Sequence, residues 1–256
     1  MKNGSYGSRF SLYSVFIRIT ESDMNTSGNN SGISIGVLKL NTNFPRLAGD
    51  IGNPASFDYP VQYVTVDSAV PGNITVATRL PDGLQKEFIE AAGLLINNNV
   101  SIITTTCGFL STIQHQLTQL SNIPVICSAL ELLPLLKAVH GGAHRIGILT
   151  FNKDTLNENH TAGITAGAVE GLLPGDSLRK VISDDLSSLD EEQALENVIS
   201  ACDRLLTTAP ELSAILLECT NLSPYKHIMR ERTGLPVYDI IDAVHWLLWS
   251  RTTKPV

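Results

Sequence analysis

The sequence lacks any long hydrophobic run: no apolar stretch in its 256 residues approaches the roughly 18 residues needed to span a bilayer. It also lacks a cluster of basic residues, since 18 Lys and Arg face 25 Asp and Glu, for a formal net charge of −7. These absences argue against a membrane or a nucleic acid as partner. They leave a small anionic ligand open, because backbone dipoles bind anions even in an acidic protein. With 43% hydrophobic residues, the composition predicts a soluble globular protein.

Cysteine is scarce as well. The chain has four cysteines, with no Cys-x-x-Cys and no Cys/His cluster at zinc spacing. Four cysteines in a chain of this length do not suggest a disulfide framework. We therefore expect free thiols, no metal site and a reducing compartment, the cytoplasm.

The segment ahead of position 33 differs in composition from the rest of the chain. Residues 24–32 (MNTSGNNSG) are typical of a flexible linker, and the segment before them carries Arg9 and Arg18 with no acidic residue ahead of Glu21. Its apolar part is too short and interrupted for a secretory signal. We interpret 1–32 as a flexible N-terminal tail, with an organellar transit peptide as the alternative.

Short apolar runs alternate with helix-like stretches from residue 33 onward. Strands are predicted over 33–40, 100–105, 123–128, 145–151, 214–217 and 235–240. Helical periodicity is best over 82–97, 111–120 and 190–206. Continuously apolar runs are typical of strands buried on both faces of a parallel sheet. The alternation predicts an α/β fold with mostly parallel sheets flanked by helices.

Three pairs of segments recur in the same order and at almost the same offset along the chain. The pairs are IGVL at 35–38 with IGIL at 146–149, Cys107 with Cys219, and Pro124-Val125 with Pro236-Val237. Any one of these matches could arise by chance, but three with nearly equal offsets indicate a duplication. We therefore expect two similar α/β lobes.

Each half places a cysteine where a strand ends and a helix-like segment begins: Cys107 in TTTCGF and Cys219 in LECTNL. Ligands of open α/β sheets bind beyond the carboxyl ends of the strands, so two facing lobes would aim both thiols into one cleft. Free N–H groups at a helix start lower a thiol pKa and attract carboxylates. We therefore expect Cys107 and Cys219 to be catalytic.

Two thiols on opposite sides of a ligand suit proton exchange at a carbon stereocentre, since one base removes hydrogen from one face and an acid returns it on the other. A non-catalytic small-molecule binding protein is the alternative of another class, because fold does not determine function. A binding protein, however, has no need of two thiols at equivalent strand ends.

The strings GVLKLNTNFPRLAGDIGNP, TTTCGF and LECTNL resemble the aspartate/glutamate racemase superfamily, which also contains hydantoin racemases, maleate isomerases and arylmalonate decarboxylases. The resemblance covers about residues 33–250. It implies an active site in the cleft between two lobes, no pyridoxal phosphate or other cofactor, a homodimer, and Cys107 and Cys219 as the catalytic pair. We expect a racemase of aspartate or glutamate, with a hydantoin racemase or a maleate-type cis–trans isomerase as alternatives. Arylmalonate decarboxylases keep one cysteine, so the pair favours racemisation or isomerisation.

The same resemblance implies how the chain divides. The two Pro-Val strands would be exchanged between the lobes. Lobe one would comprise 33–122 plus 236–256, and lobe two 123–235.

Residues around the thiols complete the predicted site. Thr220 and Asn221 match the carboxylate-binding pair after the second cysteine of the family, whereas Gly108-Phe109 departs from the Asn-Thr often found after the first. Arg46 is expected either to clamp a carboxylate bidentately or to be a solvated loop residue. Residues near strand ends are expected to bond the ligand or the local backbone. The predicted substrate-binding set is Arg46, Thr106, Gly108, Phe109, Ser128, Thr150, Thr220 and Asn221.

Overall fold

The computed structural model describes residues 17–20, 32–75 and 79–251. Its strands are β1 Ile17–Thr20, β2 Ile35–Leu40, β3 Val61–Val66, β4 Ile102–Thr105, β5 Val125–Ile126, β6 Ile146–Thr150, β7 Ala168–Gly171, β8 Ala214–Leu217 and β9 Val237–Tyr238. Its helices are α1 Pro71–Ile74, α2 Asp82–Asn97, α3 Gln114–Thr118, α4 Leu133–Val139, α5 Ser177–Ser183, α6 Glu191–Thr208, α7 Lys226–Thr233 and α8 Ile240–Trp249. None of these helices is long and apolar enough to cross a membrane.

The strands form two sheets of the same design. The first has the order β1-β3-β2-β4-β5 and the second β7-β6-β8-β9. All neighbours are parallel except β1, which runs antiparallel to β3. β2 and β4 occupy the centre of the first sheet, as β6 and β8 do in the second. The prediction of two duplicated α/β lobes is confirmed.

The repeated Ile-Gly strings have the same packing role in both halves. Gly36 lies under α2, where an added Cβ would come within 3.0 Å of a Leu95 methyl carbon. Gly147 lies under α6, where an added Cβ would come within 2.8 Å of a Leu205 methyl carbon. Glycine at these positions lets each crossover helix press closely on the central strand.

The predicted strands and helices need several additions and one correction. The strands β3 and β7 were missed, although each pairs in parallel with a central strand. The predicted helix over 111–120 is a 3₁₀ segment, Gly108–Ile113, followed by the short helix α3. The corresponding 3₁₀ segment of the second half is Thr220–Tyr225, which leads into α7.

The predicted exchange of the Pro-Val strands is wrong. β5 stays in the first sheet, where Val125 pairs with Ile103, and β9 stays in the second, where Val237 pairs with Ile215. The chain passes from one sheet to the other only after these strands. Helix α8, which follows β9, packs against β4 of the first sheet, and the segment Ala129–Leu132 after β5 contacts β8 of the second. A single core cluster accordingly contains residues of both sheets together with α4 and α8.

The prediction of a flexible tail over 1–32 is corrected in part. Ile17–Thr20 forms the edge strand β1, in which Ile17 pairs with Val66 of β3. The remaining positions of this prediction, 1–16 and 21–31, lie outside the described residues.

Candidate active site

Cys107 and Cys219 line one small cavity of about 30 Å³ between the two halves. Each follows the carboxyl end of a central strand, and the residue before it continues the sheet pairing. Thr106 N–H donates to the Leu38 carbonyl at 3.1 Å, and Glu218 N–H donates to the Leu149 carbonyl at 2.8 Å. The duplication therefore brings the two thiols together as the sequence predicts. The described cysteines carry free thiols.

Most of the predicted binding residues also reach this cavity. The members of the predicted set that line it are Arg46, Thr106, Gly108, Phe109, Thr220 and Asn221. Ser128 and Thr150 are buried but are not among the lining residues. Ser128 Oγ accepts from the Leu130 N–H at 3.1 Å and so caps a 3₁₀ segment. For Ser128 the structure thus shows the second of the two expectations, a bond with the local backbone.

The electrostatics of the thiols differ from the prediction. Burial, and then the charge of Glu218, raise the pKa of Cys107 to about 12, although the backbone N–H groups of Phe109 and Leu110 and the charge of Arg46 lower it. Burial, and then Glu218, raise the pKa of Cys219 well above its ordinary value. The N–H groups at the turns therefore do not offset desolvation. Both thiols are neutral at pH 7 in this state, so the expectation of a lowered thiol pKa is wrong.

Glu218 is a site residue that the sequence analysis missed. Its side chain is buried, and its Oε2 accepts a hydrogen bond from Thr150 Oγ1 at 2.6 Å. Burial raises the pKa of this carboxyl to about 7, against the lowering effect of Thr150 and of the Phe151 N–H. Thr150 therefore acts on the site through Glu218. The available signal was a carboxylate at the end of the apolar strand AILL, one residue before a candidate catalytic cysteine.

Gly108 provides the space for this carboxyl. A Cβ at position 108 would overlap both the carbonyl oxygen and the Oε1 of Glu218. The departure from Asn-Thr after the first cysteine thus has a steric reason, since a side chain at 108 and the Glu218 carboxyl exclude one another.

Arg46 is a buried member of a network that joins the two halves. Its Nη1 donates to Asp50 Oδ1 at 2.9 Å, its side chain is 7% exposed, and its guanidinium carbon lies 4.7 Å from the centre of the Phe44 ring. Asp50 Oδ2 in turn accepts from Asn221 Nδ2 at 2.9 Å. The alternative of a solvated loop arginine is therefore wrong. Arg46 Nε is buried without a hydrogen-bond partner, which leaves a donor for a ligand.

Thr106, which precedes Cys107, and Thr220, which follows Cys219, join the two halves through a hydrogen bond. Thr220 Oγ1 donates to the Thr106 carbonyl at 3.0 Å, across the boundary between the halves. Thr106 Oγ1 accepts from the Leu40 N–H at 3.0 Å. Both hydroxyl groups therefore form hydrogen bonds within the protein.

Apart from Thr75, the rest of the cavity wall is apolar and rich in phenylalanine. Its apolar members are Leu40, Phe44, Pro71, Phe109, Phe151 and Ile182. Among the described residues that line the cavity, Arg46 is the only cation and Glu218 the only carboxyl. This combination suits a ligand with one carboxylate and an apolar or cationic end, because phenyl faces attract cations. In the part of the chain that the structure describes, no group of His, Cys, Asp and Glu is arranged to hold a metal.

The profile of the family described as Asp/Glu/Hydantoin racemase matches residues 59–248. This chain belongs to that family. Its fold agrees with solved structures related to the family. Unliganded arylmalonate decarboxylase superposes with a TM-score of 0.57 at 16% identity, over 87% of this chain and 94% of the other. Glutamate racemase from Francisella tularensis, in complex with D-glutamate, has a TM-score of 0.53 at 16% identity, over 88% and 85% of the two chains. At these identities the likeness concerns the fold alone.

Relatives with higher sequence identity are named for a different activity. A dimethylsulfoniopropionate lyase from Durusdinium sp. clade D is 33% identical over 235 residues, covering 87% of this chain and 76% of that protein. Dimethylsulfoniopropionate lyase 6 from Emiliania huxleyi is 29% identical over 242 residues, covering 87% of this chain and 61% of that protein. The chain thus spans about three-fifths of the second relative's length.

Proposed function

We propose that this protein is a lyase that cleaves dimethylsulfoniopropionate to acrylate and dimethyl sulfide. The observation that carries the proposal is the cavity itself, in which two thiols share an apolar, phenylalanine-rich wall with a single guanidinium. The substrate is a zwitterion with one carboxylate and one sulfonium. The relatives named as lyases of this compound support the same choice of substrate.

The reaction needs one base and a leaving group that departs neutral. A thiolate removes the proton from the carbon next to the carboxylate. The electrons of that C–H bond form the new C=C bond, and the bond from the neighbouring carbon to sulfur breaks. Its electron pair stays on sulfur, so the sulfonium leaves as dimethyl sulfide and the proton remains on the thiol. This first step is the one that a racemase also begins with, which explains how one family accommodates both reactions.

We assign the two ends of the substrate to different parts of the wall. In this proposal, the unpartnered Nε–H of Arg46 donates to the carboxylate. The rings of Phe44, Phe109 and Phe151 receive the sulfonium, because an onium group is bound by aromatic faces at about 0.5–2 kcal/mol per contact.

Racemisation of aspartate or glutamate is the second candidate. The equivalent positions of Cys107 and Cys219 at the ends of β4 and β8 favour it, because inversion uses one thiol on each face of the carbon. The cavity supports it less well. A diacid brings a second carboxylate, and the only cation among the described lining residues, Arg46, is already paired with Asp50.

One panel of substrates separates the two candidates. The purified protein is incubated with dimethylsulfoniopropionate, and dimethyl sulfide is measured by headspace gas chromatography. Single enantiomers of aspartate and glutamate are followed in parallel by chiral chromatography. We expect dimethyl sulfide from the first substrate and unchanged amino acids. Racemisation without dimethyl sulfide would establish the second candidate, and no reaction with any of these substrates would reject both.

A further inference from the structure

A buried carboxyl lines the same cavity as both thiols, and the reaction proposed above does not use it. The Glu218 side chain lines the cavity, and the residue as a whole is 1% exposed. Its carboxyl packs against Gly108, the residue after Cys107, while Cys219 directly follows it in the chain. Glu218 thus contacts the residue that follows Cys107, across the boundary between the halves, and it directly precedes Cys219 in the chain.

Glu218, Cys107 and Cys219 form a set of three acidic groups in one desolvated space. Ionised Glu218 raises the pKa of both thiols, and Cys107 raises that of Cys219 as well. Like charges in one buried site do not ionise together, so the set carries no more than one negative charge at neutral pH. That charge rests on the carboxyl, whose pKa of about 7 is the lowest of the three.

The surrounding elements bring few other charges to this set. From the loop after β2, Arg46 lowers the pKa of Cys107 and Asp50 raises that of Cys219. From the end of β6 and the residue after it, Glu218 accepts hydrogen bonds from the uncharged Thr150 hydroxyl and the Phe151 N–H. Because Arg46 and Asp50 pair with one another, the group available to exchange a proton with the thiols is Glu218.

We propose that Glu218 is the proton acceptor that converts a site thiol into the thiolate base. The thiol proton moves to a carboxylate oxygen, and the S–H electrons stay on sulfur. The carboxyl is then neutral and no longer repels the thiolate. After the thiolate has taken the substrate proton, Glu218 releases its own proton to water, so each turnover frees one proton. The inference rests on the thiol-base step of the proposed function but not on the identity of the substrate.

Replacing Glu218 with Gln separates this role from a structural one. A Gln side-chain carbonyl still accepts the hydrogen bond from Thr150, but it does not take a proton at neutral pH. Glu131 supplies the matched control, because burial raises the pKa of its carboxyl to about 7 as well and it is not a lining residue of the cavity.

The experiment compares wild type, Glu218→Gln and Glu131→Gln in two measurements. Iodoacetamide alkylation of Cys107 and Cys219 at pH 8 is followed by peptide mass spectrometry, and turnover is measured with the substrate that the panel identifies. In Glu218→Gln we expect alkylation about tenfold faster, because a like charge that raises the pKa of both thiols is gone. Turnover should nevertheless fall by about 100-fold or more. Glu131→Gln should match wild type in both measurements.

Unchanged alkylation in Glu218→Gln would overturn the proposal, and so would faster alkylation with undiminished turnover. Alkylation needs no substrate, so failure of the lyase proposal leaves this measurement decisive. Thr150→Val provides a second arm if Glu218→Gln does not fold. This substitution removes a hydrogen bond that favours the ionised carboxyl. The acidic limb of the pH–rate profile should therefore move to higher pH by about one unit. An unmoved acidic limb would count against the proposal.

Discussion

At the scale of single residues, the site combines groups whose ordinary charges are suppressed by burial. The carboxyl of Glu218 and the thiols of Cys107 and Cys219 all have their pKa raised, with desolvation as the largest cause in each case. Asp50 is also completely buried, and it accepts hydrogen bonds from Arg46, Asn221 and the Gly52 N–H. A buried carboxyl with few donors, such as Glu218, is held near neutrality.

The raised pKa of Glu218 predicts a pH dependence of stability. The folded pKa of about 7 exceeds the ordinary 4.5, so this group's contribution is fully present below pH 4.5 and is lost as pH rises through 7. The loss is on the order of 3 kcal/mol, from about 1.4 kcal/mol per pKa unit. Urea unfolding at pH 5 and pH 8 should show wild type losing more stability than Glu218→Gln. Parallel losses in the two proteins would contradict this prediction.

At the scale of elements, hydrogen bonds to Asp185 of the second half hold the loop that carries Phe44 and Arg46. Asp185, just after α5, accepts from the Asn43 N–H at 2.6 Å, from Asn43 Nδ2 at 2.8 Å and from the Phe44 N–H at 3.1 Å. Its φ of 52° lies in the left-handed region, which Asp tolerates better than most residues. Three hydrogen bonds to one carboxylate keep it in this conformation.

Removing the hydrogen bonds to Asp185 should weaken substrate binding. In Asp185→Ala the loop loses these bonds, so Phe44 and Arg46 are less firmly placed at the cavity. We expect KM to rise about tenfold, since charge-assisted hydrogen bonds contribute about 1.5–3 kcal/mol. The neighbouring Asp184 is exposed, and Asp184→Ala serves as the control with unchanged KM. A KM equal to that of wild type in Asp185→Ala would show that the loop is held by other contacts.

At the scale of the whole molecule, the two duplicated halves differ at the residues that precede the site thiols. Cys107 and Cys219 are equivalent, but the residue before the first is Thr106 and the residue before the second is Glu218. Thr106 uses its carbonyl to receive Thr220 from the other half, whereas Glu218 directs its carboxyl towards Gly108. Two similar lobes therefore present unlike surroundings to the two thiols.

This asymmetry predicts unequal effects of the two cysteines. An elimination needs one base, so one of Cys107→Ser and Cys219→Ser should lose about 100-fold or more of dimethyl sulfide release, and the other a smaller factor. Cys202→Ser, on α6 and outside the cavity lining, is the control and should retain activity. Equal losses of racemisation, with deuterium from D₂O entering opposite enantiomers in the two variants, would instead identify a two-base racemase.

Much of the architecture follows from patterns that are local in the chain. Buried parallel strands leave continuous apolar runs such as IGVL and IGIL, and a crossover helix leaves the periodicity that predicted α2 with its observed bounds. The recurrence of Cys107 and Cys219 at one offset was enough to predict that two thiols meet, because the carboxyl ends of equivalent strands occupy equivalent places.

The sequence by itself thus determined the fold class, the duplication and the identity of the paired thiols, because each is recorded in periodicity or in repeated strings. Only the tertiary structure decided which strand joins which sheet, since β5 and β9 are two-residue strands whose pairing depends on neighbours far along the chain. It also decided the charge of the site. The pKa of Cys107 depends on desolvation and on Glu218, which approaches from the other half, and neither is visible in the residues that flank Cys107.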